Sequence, residues 1–328
     1  MVIVIILSIV VLLILGISWY TYYTCFFTGK DRYENPYAPI AGSQYKVVSD
    51  EIYACSRIME KSECQWVNIR SFDGLKLKAR YYHHGNDAPL MILFHGYRSM
   101  ALRDCSGGFI LAGKLGMNVL VPDQRAHGKS EGRTITFGIK ERFDVLSWIH
   151  FCNAKFGRQN IILSGLSMGA ATVLMAAGEE LPENVVGIIA DSGFSSPKDI
   201  ICKVCSDRKL PCKLCYPFIA FGARLFGNLS LKDCTAEDAI SRTDLPVLLL
   251  HGEEDHYVPA EMSQRIFAAR PQNTSLVLFP NAGHGLCYMV DPKLYEKANV
   301  KFLWQIPALR PYLECNDFAR SLLSKTNL

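Results

Sequence analysis

No charged side chain occurs in the first 29 positions of this 328-residue chain; Lys30 is the first. A cleaved secretion signal opens on a basic segment and closes on a small-x-small cleavage site. Neither borders the apolar run Val2 to Trp19, which is also longer than a usual signal core. A strong charge of either sign is missing as well: 35 Lys and Arg stand against 31 Asp and Glu, a net charge of +4. So mild an excess gives no electrostatic reason to expect nucleic acid as a partner. Runs of like charge and short-period repeats are absent, which argues against a disordered tail or a solenoid. The twelve cysteines form no secreted disulfide pattern. A domain this large needs no staples, so most are expected to be reduced, buried thiols.

What the N-terminus does contain is a continuous apolar segment. About 20 apolar residues cross a bilayer as a helix. Val2 to Trp19 is interrupted only by Ser8, Gly16 and Ser18, and it is followed by Tyr20, Tyr22, Tyr23, Phe26 and Phe27. With Trp19, these aromatics read as an interfacial belt. Residues 1–27 are therefore expected to be a single-pass membrane anchor. Lys30 and Arg32 follow it, and the positive-inside rule then places the rest of the chain in the cytoplasm. Asp31 and Glu34 count little in that rule.

Residues 28–63 carry mixed charge and Pro36 and Pro39, and read as a juxtamembrane linker with a helix near Ser49 to Glu60. From residue 64 the pattern changes. WVNIR and LKLKARYY alternate around Phe72-Asp73-Gly74, as an antiparallel hairpin does. The short apolar runs LMILFHG, MNVLVPD, NIILSG, VVGIIADSG, PVLLLHG and TSLVLFP follow. Such runs suit strands buried on both faces of a parallel sheet. Helical patterns separate them at Leu111–Leu115, Ile139–Phe156, Met168–Glu180, Ala260–Ala269 and Lys293–Ile306. The expectation over 64–310 is a doubly wound α/β domain with an antiparallel start. Residues 194–243 break the alternation and read as a helical lid over the carboxyl ends of the strands, where ligands bind in this architecture. Residues 311–328 are left as a C-terminal tail.

Gly165-Leu166-Ser167-Met168-Gly169 follows the strand NIIL and opens the helix AATVLMAA. A serine on so sharp a strand-to-helix turn needs small flanking residues, and its hydroxyl stands exposed above the sheet. A hydroxyl is a weak nucleophile and requires a base. His284, in PNAGHG, lies on the loop after the last predicted strand. Asp255, in HGEEDHYVP, follows the strand before it and can fix the tautomer of the base. Glu253, Glu254 and Asp191 are rival acids. The chain order Ser, Asp, His is the one this arrangement demands. The loop His95-Gly96-Tyr97-Arg98-Ser99 completes the set. Backbone N–H groups of Tyr97 and Met168 are the expected donors to an oxyanion, and His95 is expected to brace its loop.

HGYRS, DQRAHGKSEG, GLSMG, HGEEDHYVP and NAGHG, in that order from Gln65 to Ile306, resemble the α/β-hydrolase superfamily. The closest branch is the bacterial serine hydrolases similar to monoglyceride lipases, serine aminopeptidases and acyl-CoA:amino-acid transferases. The resemblance implies an α/β-hydrolase fold with Ser167, Asp255 and His284 as triad and Tyr97 and Met168 as oxyanion donors. Ala126 departs from the commoner D-x-R-G-H-G, and Asp123, Arg125 and His127 beside it read as a buttress. An aspartate at position 167 would instead mark a dehalogenase or epoxide hydrolase.

Two CxxC pairs, Cys202/Cys205 and Cys212/Cys215, lie in the lid. Zinc or a disulfide are the sharp readings, but the gap between pairs is short and no histidine assists, so buried thiols are expected. Lys198, Lys203, Arg208, Lys209 and Lys213 give a basic stretch, read as solvated. The functional expectation is a carboxylesterase- or lipase-like serine hydrolase acting on a small-molecule acyl ester or thioester, without metal or organic cofactor. A serine peptidase, an acyltransferase or a binding protein without turnover are the alternatives on the same fold.

Overall fold

The computed structural model describes residues 1–29, 35–40 and 42–324. Lys30, Asp31, Arg32 and Glu34, on which the orientation rule turns, lie outside the described residues. The apolar runs become one eight-stranded sheet of order β1-β2-β4-β3-β5-β6-β7-β8. Its strands are β1 (Gln65–Arg70), β2 (Lys76–Tyr82), β3 (Leu90–Phe94), β4 (Asn118–Asp123), β5 (Ile161–Leu166), β6 (Val185–Asp191), β7 (Val247–Gly252) and β8 (Thr274–Phe279). Strand β2 is antiparallel to β1 and β4, and every pairing from β3 onward is parallel. All five side chains of β3 are buried, each contributing about 1.5–3 kcal/mol by transfer from water.

The helices are α1 (Val2–Cys25), α2 (Ser43–Val47), α3 (Ser49–Lys61), α4 (Ala101–Asp104), α5 (Ser106–Lys114), α6 (Glu141–Phe156), α7 (Met168–Ala176), α8 (Pro197–Asp207), α9 (Cys212–Gly227) and α10 (Ala236–Arg242), then α11 (Glu261–Ala269), α12 (Cys287–Val290), α13 (Pro292–Gln305), α14 (Arg310–Glu314) and α15 (Asp317–Ser324). One face of the sheet packs under α3, α5 and α13, burying Met59, Leu111 and Leu303. The other packs under α6, α7 and α11, burying Trp148, Val173 and Ile266. The carboxyl ends of the parallel strands thus lie on one edge of the sheet.

Three segments carry more structure than their composition suggested. Within the segment read as linker, the helix expected near Ser49 to Glu60 is α3, and the short α2 precedes it; Ile52, Ser56 and Met59 of α3 are buried in the protein. Residues 310–324 form α14 and α15, with Leu313 and Ala319 buried. The aromatic belt divides: Trp19, Tyr20 and Tyr23 are exposed, whereas Tyr22 and Phe26 are buried in the protein against Phe226 and Phe137.

The reading of all four lid thiols as reduced is corrected. Cys202 and Cys212 form a disulfide, their Cα atoms 5.2 Å apart. Helices α8 and α9 fold back on each other across residues 208–211, which brings the two within bridging distance. Cys205 and Cys215 are free, as are the other eight cysteines.

Among the described residues α1 alone is long and apolar enough to cross a membrane, and almost none of it is buried. Its last turns are tied to the body. Gly222 of α9 packs on the Ser18 carbonyl so closely that a Cβ there would meet that oxygen at 2.2 Å. The Tyr22 hydroxyl pairs with Thr134 Oγ1 at 2.7 Å, and Phe27 forms a bridge with Thr134.

Candidate active site

Ser167 joins β5 to α7 with φ 57° and ψ −116°, a conformation that costs a non-glycine residue about 1–3 kcal/mol. Its N–H donates to the Asp191 carbonyl at 2.8 Å and its carbonyl accepts from Ala171 N–H at 3.0 Å, which hold the turn. The flanking glycines are forced by space. A Cβ on Gly165 would lie 2.3 Å from the Gly169 backbone, and one on Gly169 would lie 2.0 Å from the Phe94 carbonyl oxygen. Met168 is the first residue of α7, where N–H groups have no intrahelical acceptor and the helix dipole is positive.

His284 sits on the loop between β8 and α12. Its carbonyl accepts from the Tyr45 hydroxyl at 3.0 Å, and the next N–H, of Gly285, donates to Ser192 Oγ at 3.1 Å. The loop fits because Gly252 ends β7: a Cβ there would strike the Ala282 carbonyl at 2.2 Å. So placed, His284 Nε2 is 2.9 Å from Ser167 Oγ and Nδ1 is 2.7 Å from Asp255 Oδ2. All three side chains are buried, at 5%, 8% and 4% exposure for Ser167, His284 and Asp255.

Asp255 is the acid that the fold brings to the histidine. Glu253 and Glu254 point to solvent. Asp191 lies buried at the end of β6, its Oδ1 accepting from Ser192 Oγ at 2.9 Å. Burial pushes the Asp191 carboxyl above its ordinary range. Burial acts the same way on Asp255 but is outweighed by His284 and His251, which hold that carboxyl well below the usual range. Asp255 Oδ1 accepts from the N–H groups of Tyr257 and Val258 at 2.9 and 2.8 Å, leaving Oδ2 for the imidazole. An ionised Oδ2 can only accept. It therefore fixes the proton of His284 on Nδ1 and leaves the Nε2 lone pair facing the serine hydroxyl.

The loop after β3 is held from several sides. Gly96 N–H and Ser99 Oγ donate to the two oxygens of Asp104 at 2.8 and 2.5 Å. His95 Nε2 accepts from Gln124 N–H at 3.0 Å, so its Nδ1–H donates to the Gly96 carbonyl at 2.9 Å. Burial holds this ring below its ordinary pKa and therefore neutral. His127 repeats the device, accepting from Arg98 N–H and donating to the Arg125 carbonyl at 3.0 and 2.9 Å. Below it, Arg125 forks onto Asp144 at 2.6 and 2.7 Å and onto Asp73 at 2.9 and 3.2 Å. Ala126 takes φ 64°, the left-handed region that explains why glycine is commoner there. The far side of the loop reaches the end of α1. The Tyr97 hydroxyl donates to the Cys25 carbonyl at 2.8 Å, and Arg98 Nη2 donates to those of Thr24 and Phe27 at 2.7 and 3.2 Å.

Ser167, His284 and Tyr97 line a cleft of about 410 Å³, walled on its apolar side by Ile40, Ile52, Leu286 and Met289. The cleft thus brings together the serine, the base and the loop of Tyr97 that were read from sequence, with Asp255 behind the imidazole and Met168 beneath the serine. Tyr45, Asp104 and Ser192 were not foreseen. Each acts through one hydrogen bond to a backbone group of another element, and no local pattern marks such a contact. Among the described residues no cluster of His, Cys, Asp or Glu is arranged to hold a metal ion.

A sequence profile for the alpha/beta hydrolase fold matches residues 89–203. The uncharacterized protein YqkD of Bacillus subtilis is 27% identical over 238 residues, covering 72% of this chain and 77% of its own. The bifunctional esterase/perhydrolase DCH of Acinetobacter calcoaceticus is 21% identical over 245 residues, 61% of this chain and 86% of that protein. Among solved structures, the Pyrococcus furiosus esterase Pf2001 superposes with a TM-score of 0.62 at 24% identity, over 85% of this chain and 99% of the other. Est1E from Butyrivibrio proteoclasticus, solved with ferulic acid bound, gives 0.57 at 21% identity over 74% and 99%. With its sheet order, its strand-to-helix serine turn and these matches, the chain has the α/β-hydrolase fold.

Proposed function

We propose that this protein is a serine hydrolase that cleaves a carboxylic ester or thioester through an acyl-enzyme, with Ser167 as nucleophile, His284 as base and Asp255 as the acid that orients it. The observation that carries the reading is the pair of contacts from Ser167 Oγ to His284 Nε2 and from His284 Nδ1 to Asp255 Oδ2, 2.9 and 2.7 Å long. In the first half-reaction Ser167 Oγ bonds to the acyl carbon as its proton passes to Nε2. The resulting oxyanion is held by the N–H groups of Tyr97 and Met168, each such donor being worth about 3 kcal/mol. Collapse expels the alcohol or thiol, which takes the proton from Nε2. Water then repeats the sequence on the acyl-enzyme, with His284 again the base. The apolar wall of Ile40, Ile52, Leu286 and Met289 suits a hydrophobic acyl chain, and the esterase names among the relatives agree with an ester. Labelling by a fluorophosphonate tests the assignment: wild type is modified at Ser167 and Ser167→Ala is not. Equal labelling of both sinks it.

The same reading makes α1 a single-pass anchor. The side of the membrane occupied by the domain follows from two opposed cues. Lys30 and Arg32 favour the cytoplasm, whereas the Cys202–Cys212 bridge favours an oxidising compartment. Cys315 is exposed and free. Its labelling in intact cells by a membrane-impermeant maleimide places the domain outside; protection until the cells are opened places it inside.

A further inference from the structure

Helix α9 reads CKLCYPFIAFGARLFG: no acidic residue, two basic ones, and apolar side chains on every turn. Ile219, Gly222, Ala223 and Gly227 face inward and are buried. Leu214, Pro217, Phe221 and Leu225 face outward, at spacings of three, seven and eleven residues from the first, and are exposed. The exposures of Leu214, Phe221 and Leu225 are 64%, 44% and 51%. A soluble protein gains nothing by leaving an apolar stripe of this length in water.

What covers the stripe follows from where α9 is docked. Gly222 lies against the carbonyl of Ser18, Thr21 Oγ1 donates to the Phe218 carbonyl at 3.3 Å, and the rings of Trp19 and Phe226 meet edge to face at 5.0 Å. Ser18 stands seven residues before the end of α1, about 10 Å up the helix at about 1.5 Å per residue. A helix that fills a hydrocarbon core of about 30 Å uses about 20 residues for it, which from Val2 reaches Thr21. The midpoint of α9 is therefore attached at or inside the core boundary. Its outward face is exposed at that depth. Lys213 and Arg224, both exposed on α9, have stems long enough to raise their charges to headgroup level.

We infer that α9 is an interfacial helix: its stripe of Leu214, Pro217, Phe221 and Leu225 rests in the lipid beside α1. This inference rests on α1 being inserted, and the test separates the two. The full-length protein is reconstituted in phosphatidylcholine vesicles with and without dibrominated acyl chains. Phe221→Trp and Leu225→Trp each add one indole to the four native ones; Ile58→Trp, exposed on α3 away from α1, is the control. Insertion of α1 is read by retention in vesicles after a carbonate wash. The expected result is retention of all three variants, with the emission added at 221 and 225 falling at least twofold in brominated lipid and that at 58 unchanged. Retention with no quenching at 221 and 225 overturns the placement of α9 and leaves the anchor standing. Release by carbonate overturns the anchor and this inference together.

Discussion

The sharpest consequence of the site geometry concerns Asp255→Asn. The two forms have the same shape, so the substitution changes chemistry and leaves packing almost alone. Which end of the new amide faces the imidazole is already decided. Oδ1 accepts the N–H groups of Tyr257 and Val258 at 2.9 and 2.8 Å, and an amide nitrogen there would oppose two donors. The amide oxygen therefore stays on the backbone and the NH2 takes the position of Oδ2, 2.7 Å from His284 Nδ1. An NH2 donates, so Nδ1 must become the acceptor and the ring proton must move to Nε2. There it points at Ser167 Oγ and the base is gone. A wrong tautomer in an otherwise intact triad lowers kcat by about 10⁴, or about 5 kcal/mol of transition-state stabilisation. The variant should be less stable but still folded, because the loss of a charge-assisted contact costs about 1.5–3 kcal/mol against a total stability of about 5–15 kcal/mol. The assay is kcat on a p-nitrophenyl ester with the thermal midpoint measured beside it. Glu253→Gln and Glu254→Gln, at exposed positions, serve as controls and are expected to stay within twofold of wild type. A folded Asp255→Asn enzyme that keeps a tenth of wild-type kcat would refute the tautomer argument.

Three further outcomes follow from the same structure. Gly169→Ala puts a methyl 2.0 Å from the Phe94 oxygen; restoring an ordinary contact of about 3.5 Å moves the start of α7 by about 1.5 Å, and a shift of that size lowers kcat/KM about 10²-fold, so near-normal esterase activity in this variant would contradict the geometry. Ala126→Gly removes a Cβ from a φ of 64°, which relieves about 1–2 kcal/mol of left-handed strain against about 0.5–1 kcal/mol of added chain entropy; chemical denaturation should show a variant that is equal to wild type or more stable by up to about 1.5 kcal/mol, and a clear destabilisation would count against the strain. Burial raises the Asp191 carboxyl, so its contribution is fully present below the unfolded value near 4 and is lost as pH rises through the folded value. Asp191→Asn should accordingly melt closer to wild type at pH 4 and gain on it towards pH 8, and parallel melting curves across that range would remove this reading of Asp191.

How much of this could be read from sequence varies with how local the cause is. The turn at Ser167 is specified within five residues, by two glycines and the strand and helix on either side, and so it was legible. Asp255 and His284 were legible for a related reason: each follows an apolar run that could only be a buried strand, and the order of runs fixes which loops share an edge. The choice of Asp255 over Glu253 and Glu254 needed burial, which sequence does not display within so short a cluster. Tyr45, Asp104 and Ser192 act through isolated hydrogen bonds to other elements and left no periodic trace. The segment around Tyr45 looked like a linker because its charged, proline-containing composition says little about docking, yet it packs against the histidine loop. Tyr22 and Phe26 misled in the opposite sense. Aromatic residues beyond an apolar helix suit an interface between lipid and water, and only tertiary contact distinguishes that from an aromatic core shared with Phe137 and Phe226.

The clasp between α1 and the loop after β3 has one mechanical consequence. Carbonyls of Thr24, Cys25 and Phe27 are gripped by Tyr97 and Arg98, so no free hinge separates the apolar helix from the cleft. A hydrolase on a slack leash would sweep a hemisphere of solvent and meet whatever diffuses through it. With α1 inserted and the activity as proposed, this domain is mounted like a tool on a fixed post, with its working gap at a set height and bearing. The molecules it can meet are those that travel to that height, and lengthening the post by even one residue would swing the gap through about 100° and raise it by about 1.5 Å.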